Sequence, residues 1–373
     1  MPSRWQAESW RVSPSAHNDR KTMHSDQFSL SVMAHPSRAS QAAELCSRLS
    51  ISEDAIAFDP FPDEPTSALP TAVAAWSRAD PARHPWHVVL MDDAQVCRDF
   101  AAKVDELVAT VDGPVSLYAE WGSRTGAIAR AAHLMDRHLV PVGDPYVPTL
   151  GMALPAEIAV RFAETYRGRQ YITEDVALGR FLAAERIVAH SVVPTLVEHD
   201  LSPSLIGNDT RGLRRSVLFR DDTAAPVTMR AWPESVTEVP YIRYQDLALH
   251  VLERVDGIWW KRGFAAWLHA RPHHFPVIDR AVRSAVPQVR RILAARDAAF
   301  TEASCTCSVL IARYLAVLSM SVERSMRVPA NSAQALGTLV PGTLRLFHDP
   351  RQLSGLGADL SEVLSDIDRE VGR

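Results

Sequence analysis

His87-Val88-Val89-Leu90-Met91-Asp92-Asp93 is a short apolar run that ends in two adjacent carboxylates. Such a run fits a strand buried in an α/β sheet, and its carboxyl end places the aspartates at the mouth where hard cations and phosphates bind. Adjacent carboxylates repel one another when desolvated, so the pair is costly without a neighbouring cation. Mg2+ or Mn2+ with pyrophosphate oxygens offsets that cost, one carboxylate ligating and its neighbour holding a ribose or sugar. The plain alternative is a solvated helix start capped by Asp93.

Working outward, Phe28–Ala34 alternates as a strand and ends at His35-Pro36-Ser37-Arg38. A helix over 41–49, a strand over 55–58 ending at Asp59, a Pro-rich loop and a helix over 71–77 lead to the 86–91 strand. Beyond the aspartates, helices are expected over 97–110, 125–136, 157–165 and 175–185, and strands over 115–119, 138–142, 150–153 and 187–193. This alternation predicts an α/β fold with a Rossmann-like, mostly parallel sheet over residues 28–222. The break is expected near Asp221–Pro226. From there to 373 the segments 244–255, 258–268, 277–282, 286–300 and 304–324 favour helix, punctuated by Pro272, Pro276 and Pro287. A last amphipathic stretch, 359–371, aligns Leu360, Val363, Leu364 and Ile367, so residues 223–373 read as a mainly α-helical domain.

At 373 residues the chain suits two domains, and 47% hydrophobic with 23% charged residues matches an ordinary globular protein. A net charge of -4 gives no basic field for nucleic acid. Residues 1–27 contain no apolar core segment and read as a flexible leader rather than a secretory signal. The longest apolar stretch, 309–322, contains Arg313 and is short for a membrane span, so a soluble, cytoplasmic protein is expected. Cys305 and Cys307 are two positions apart and do not share a helix face.

Glu174 and Asp175 open a helix pattern, where the macrodipole favours acids and where a general base for an acceptor hydroxyl also fits. His199, between Glu198 and Asp200, has the chemistry to complete a metal site, or is a surface histidine in a charged loop. Arg38, Arg211, Arg214 and Arg215 suit a diphosphate or an anionic acceptor, and Trp121 suits stacking on a base or burial in a core. Neither G-x-G-x-x-G, a Walker loop, G-x-S-x-G nor C-x-x-C is present.

Taken in order, these segments resemble the GT-A fold (nucleotide-diphospho-sugar) glycosyltransferases over residues 28–222. The resemblance implies that His35, Arg38, Asp59, Asp92 and Trp121 face the donor, with Asp59 at the nucleoside. It implies Asp93 and His199 as ligands of Mn2+ or Mg2+, and Asp175 or Glu174 at the acceptor. The chain reads Asp92-Asp93-Ala94 where that family has D-x-D. The expected activity is transfer of a sugar from a nucleotide-sugar donor, a UDP-sugar foremost, to a hydroxyl acceptor. A non-catalytic binding or assembly module on the same fold is the alternative. Trp232, Trp259, Trp260 and Trp267, with the basic residues of 280–296, suit a peptide or protein partner or a second copy, making a homodimer through the helical part.

Overall fold

The structure, a computed structural model, describes residues 25–64, 67–200, 202–205, 208–219, 229–296, 303–322, 332–353 and 355–373. Residues 1–24 of the expected leader and the expected break at Asp221–Pro226 lie outside the described residues.

Apolar residues separated by Ser29 and Ser31 give β1 (Phe28–Ala34), and α1 (Ala39–Leu49) follows after a tight turn. The chain continues through β2 (Ile56–Phe58), α2 (Leu69–Trp76), β3 (Trp86–Met91), β4 (Ala94–Val96), α3 (Phe100–Val108) and β5 (Val115–Ser116). Then come α4 (Arg124–Leu134), β6 (Leu139–Pro141), β7 (Gly151–Pro155), α5 (Ala156–Tyr166), α6 (Glu174–Ala184), β8 (His190–Val192) and β9 (Val197–His199).

Seven of these strands form one sheet in the order β2-β1-β3-β7-β5-β8-β6. Pairing makes β1, β2, β3, β5 and β8 run one way and β6 and β7 the other. The sheet is therefore mostly parallel but mixed. Val88, Val89 and Leu90 of β3 are almost fully enclosed, each worth about 1.5–3 kcal/mol of burial. On one face Leu45, Leu49, Val104 and Leu107 of α1 and α3 pack with Val88 and Leu90. On the other, α2, α5 and α6 bring Trp76, Phe162 and Phe181 against Val89 and Met152. With both faces covered, what remains open is the sheet's edge and the ends of its strands.

After residue 229 the chain departs from the helical expectation. Residues 244–255 and 258–268 contribute to an antiparallel sheet of β10 (Glu238–Arg243), β11 (Ala248–Val255) and β12 (Ile258–Gly263), and only α7 (Phe264–His269) is helical there. The reason is local: Asp256 and Gly257, at φ +50° and +80°, make the two-residue turn that pairs Val255 with Ile258. Helices then dominate: α8 (Phe275–Arg296), α9 (Ala303–Ser321), α10 (Ser332–Gly337), α11 (Leu339–Leu344) and α12 (Gly357–Val371). Separate helices over 277–282 and 286–300 were expected, punctuated by Pro287, yet α8 runs unbroken from one into the other. The buried stripe Ile278, Ala281, Ala285, Val289 and Leu293 outweighs the roughly 3 kcal/mol that an internal proline costs.

The largest core joins both halves of the chain. Ile128, Ala131 and Leu134 of α4 pack in one cluster with Leu315, Leu336, Leu360 and Ile367. Arg130, 2% exposed, crosses the same seam: its Nε donates to the Ala335 carbonyl at 2.9 Å and Nη2 to the Trp121 carbonyl at 3.1 Å. Trp232, Trp259 and Trp267 are buried within this part, and Trp260 alone of the four is exposed.

Candidate metal and transfer site

β3 delivers Asp92 and Asp93 to the mouth of the sheet, and β4 turns back at once to pair with β9. That ribbon sets Ala94 opposite His199, so the histidine that lies about a hundred positions on in sequence meets the aspartates in space.

The two aspartates have different surroundings. Asp92 Oδ2 accepts the His35 backbone N–H at 2.9 Å, and Oδ1 accepts Arg38 Nη1 at 3.0 Å. Burial pushes its carboxyl up, the His35 N–H opposes that, and the Asp93 charge adds to the rise. Asp93 shares Arg38 Nη1 through Oδ2 at 3.1 Å, while its Oδ1 is buried and without a hydrogen-bond partner. Arg38 itself is 7% exposed and also donates to the Pro203 carbonyl, so its guanidinium braces the aspartate pair from inside.

His199 is held through Nδ1, with Nε2 turned to Asp93. Nδ1 lies 2.8 Å from the Asp200 carbonyl, an acceptor only, so Nδ1 carries the proton in the neutral ring. The Nε2 lone pair then faces Asp93 Oδ2 at 3.5 Å. Asp200 completes the group: one ligand atom from each of Asp93, His199 and Asp200 lies within 4.8 Å of the others. With Nδ1 committed, a ring nitrogen beside two carboxylates and an orphaned carboxylate oxygen is a ligand set that suits a divalent cation. The charges agree: Arg38 balances one aspartate, and the remaining Asp93 and Asp200 balance a 2+ ion.

Glu198 was not singled out in the sequence, and it fixes this geometry. It is 3% exposed; Oε1 accepts the N–H groups of His199 at 2.8 Å and Ser216 at 2.7 Å, and Oε2 meets Arg215 Nε at 3.1 Å. It thereby ties the 213–216 segment to β9 directly beneath His199. Asp200 was likewise passed over as a ligand; its neighbour His199 was the available signal.

Glu174 and Asp175 start α6, as expected. Glu174 accepts the Thr149 hydroxyl at 3.3 Å, and its carboxyl is pushed up to about 7 by burial, then by Asp175, with a smaller push from Asp93. That last influence places Glu174 within electrostatic reach of the Asp93 mouth. Asp175 Oδ1 accepts its neighbour's N–H, that of Val176, at 2.7 Å.

His35 and Asp59 sit together at the ends of β1 and β2. The Asp59 N–H donates to the Ala34 carbonyl at 2.9 Å, and Asp59 Oδ1 accepts the Phe61 N–H at 3.0 Å. The His35 ring bonds Ser37 Oγ at 2.7 Å and reaches the Pro62 carbonyl at 3.3 Å. Trp121, expected at the donor, is instead in the core: it is 7% exposed, its indole N–H donates to the Leu213 carbonyl at 3.2 Å, and its ring lies against Gly342. The aromatic face that a base would stack on is taken up by packing.

No protein-family model matches this chain, and no curated protein matches it significantly. Among the described residues, no helix is long and apolar enough to cross a membrane.

Proposed function

We propose that the protein is a metal-dependent glycosyltransferase that moves a sugar from a nucleotide-sugar donor, a UDP-sugar foremost, to a hydroxyl acceptor. One observation carries the reading: Asp93, with a buried unpartnered oxygen, lies 3.5 Å from His199 Nε2 beside Asp200. Asp93 and His199, with Asp200, would hold Mn2+ or Mg2+, and the cation when bound supplies charge neutralisation for the departing diphosphate.

The protein's own groups divide the remaining work. Asp92, fixed by His35 and Arg38, is the donor-side carboxylate of the pair, and Asp59 stands at the neighbouring strand end for the nucleoside. A base that takes the acceptor's proton works best with a pKa near the operating pH. Glu174, at about 7, meets that condition, which moves the base role from Asp175 toward Glu174. Asp175 then acts on Glu174 by raising its proton affinity.

The alternative, a non-catalytic module with the same fold, has one specific observation in its favour. Arg38 already bridges both aspartates and supplies a cation of the protein's own. The two readings separate on calorimetric titration of UDP and GDP with and without Mn2+. Metal-dependent binding of one nucleotide, abolished by Asp93→Ala, supports the transferase. A folded protein that binds neither supports the module.

A further inference from the structure

A cavity of about 440 Å3 lies between the β10–β12 sheet and the loops that follow β5 and β6. Its walls are unusually cationic: Arg124, Arg211, Arg243 and Lys261 line it, with Glu120 and Asp144 as the carboxylates. Both carboxylates are already engaged. Glu120 pairs with Arg345, whose guanidinium is buried and stacks 3.5 Å from the Tyr244 ring centroid. Asp144 accepts the backbone N–H groups of Arg124 and Thr125, each at 3.0 Å, and so caps α4. Arg243 pairs with Asp246 outside the wall. No described carboxylate lies within ion-pair distance of Arg124 or Lys261, which leaves a net positive hollow.

Tyrosines complete it. Tyr146 and Tyr241 add ring surface and hydroxyls, the lining expected where a polyhydroxylated ligand is held, while Tyr244 braces Arg345 at the wall. One wall of the cavity is tied to the start of α6, where Glu174 and Asp175 lie. Tyr146 packs against α6, the Val147 N–H donates to the Asp175 carbonyl at 3.2 Å, and the Asp175 charge acts on the Tyr146 hydroxyl.

We infer that this cavity is the acceptor subsite and that the acceptor is a small hydroxyl-bearing anion, its carboxylate or phosphate held by Lys261 and Arg124. The inference rests on the transferase reading, since it names the acceptor class for the same site. Charge-assisted hydrogen bonds from Lys261 and Arg124, neither with a carboxylate partner among the described residues, are what distinguish an anion from a neutral sugar here.

The test uses the full chain without metal or donor, so failure here overturns the anion subsite and leaves the Asp93–His199 reading standing. Glycerol 3-phosphate, glycerate and neutral glycerol are titrated calorimetrically into wild type, Lys261→Gln and Arg124→Gln. Both substitutions stay polar, and circular dichroism melts confirm folding. The expected result is binding of at least one anion, none of glycerol, and affinity weakened about tenfold or more by either substitution. Preference between the two anions tells phosphate from carboxylate. Three results overturn the inference: no anion bound by folded wild type, binding unchanged in both variants, or displacement by UDP, which would put the anion on the donor side.

Discussion

His199 Nε2 lies 3.5 Å from Asp93 Oδ2 while Nδ1 of the same ring is committed to the Asp200 carbonyl at 2.8 Å. The tautomer is thus set by a backbone oxygen, and the nitrogen turned to the aspartate has a lone pair to offer. Histidine ligands whose second nitrogen is fixed in this way are oriented before the metal arrives. His199→Gln, which keeps a polar side chain without that nitrogen, is expected to lower Mn2+ affinity by about 10–100-fold. Competition with a chelating dye measures it, and unchanged affinity would remove His199 from the site.

Glu198 orients that histidine from below. Replacing it with Ala leaves the Ser216 N–H buried without its acceptor and Arg215 without its partner. A loss of about 2–4 kcal/mol in urea unfolding is expected. Glu198→Gln retains an acceptor for the N–H groups and is expected to lose less.

Arg345 joins the end of α11 to Glu120, 225 positions away, with its guanidinium almost fully enclosed. Arg345→Ala strands Glu120 and empties the space over Tyr244, for an expected cost of about 3–5 kcal/mol. Gly212 guards the same place. It adopts φ +71°, and a Cβ there would lie 2.5 Å from the Arg345 carbonyl oxygen, so Gly212→Ala is expected to destabilise as well. Chemical denaturation of each variant reports these costs, and a wild-type midpoint for Arg345→Ala would contradict the packing account.

Two buried groups give pH dependences of opposite sign. Glu174 has its pKa raised from 4.5 to about 7, so the folded state holds the extra proton and stability falls as pH rises across that window. His87 is lowered from 6.5 to about 4, chiefly by burial, so its stability contribution is lost as pH falls through that range. Each is worth up to about 3 kcal/mol, and in wild type they largely offset one another. In metal-free protein, Glu174→Gln is therefore expected to be more stable than wild type at pH 8. Its stability should climb steadily from pH 4 to 6.5. Equal slopes in the two proteins would mean that Glu174 titrates normally.

Much of the sheet was legible because its signals are local. The apolar run before Asp92 forms β3 as read, and the end of β1 at His35 and the stripe of α12 follow the same logic. The reversed direction of β7 was not legible, because alternating strands and helices carry no sign for an antiparallel insertion. The β11–β12 hairpin carries a local sign of its own: Asp256-Gly257 between Val255 and Ile258 is a turn signal that outranks the helical spacing around it. Trp121 shows the limit for single residues, since only the fold reveals that Gly342 and the Leu213 carbonyl claim it. The same holds for Glu198 and Asp200, which acquire their roles from β9 and from Ser216 rather than from spacing.

The most direct test of the account is calorimetric titration of Mn2+ and UDP into wild type and Asp93→Ala. The account predicts UDP binding that requires Mn2+ and disappears in the variant, with both proteins folded. Nucleotide binding that is indifferent to the metal and to the substitution would contradict it, as would a folded wild type that binds neither.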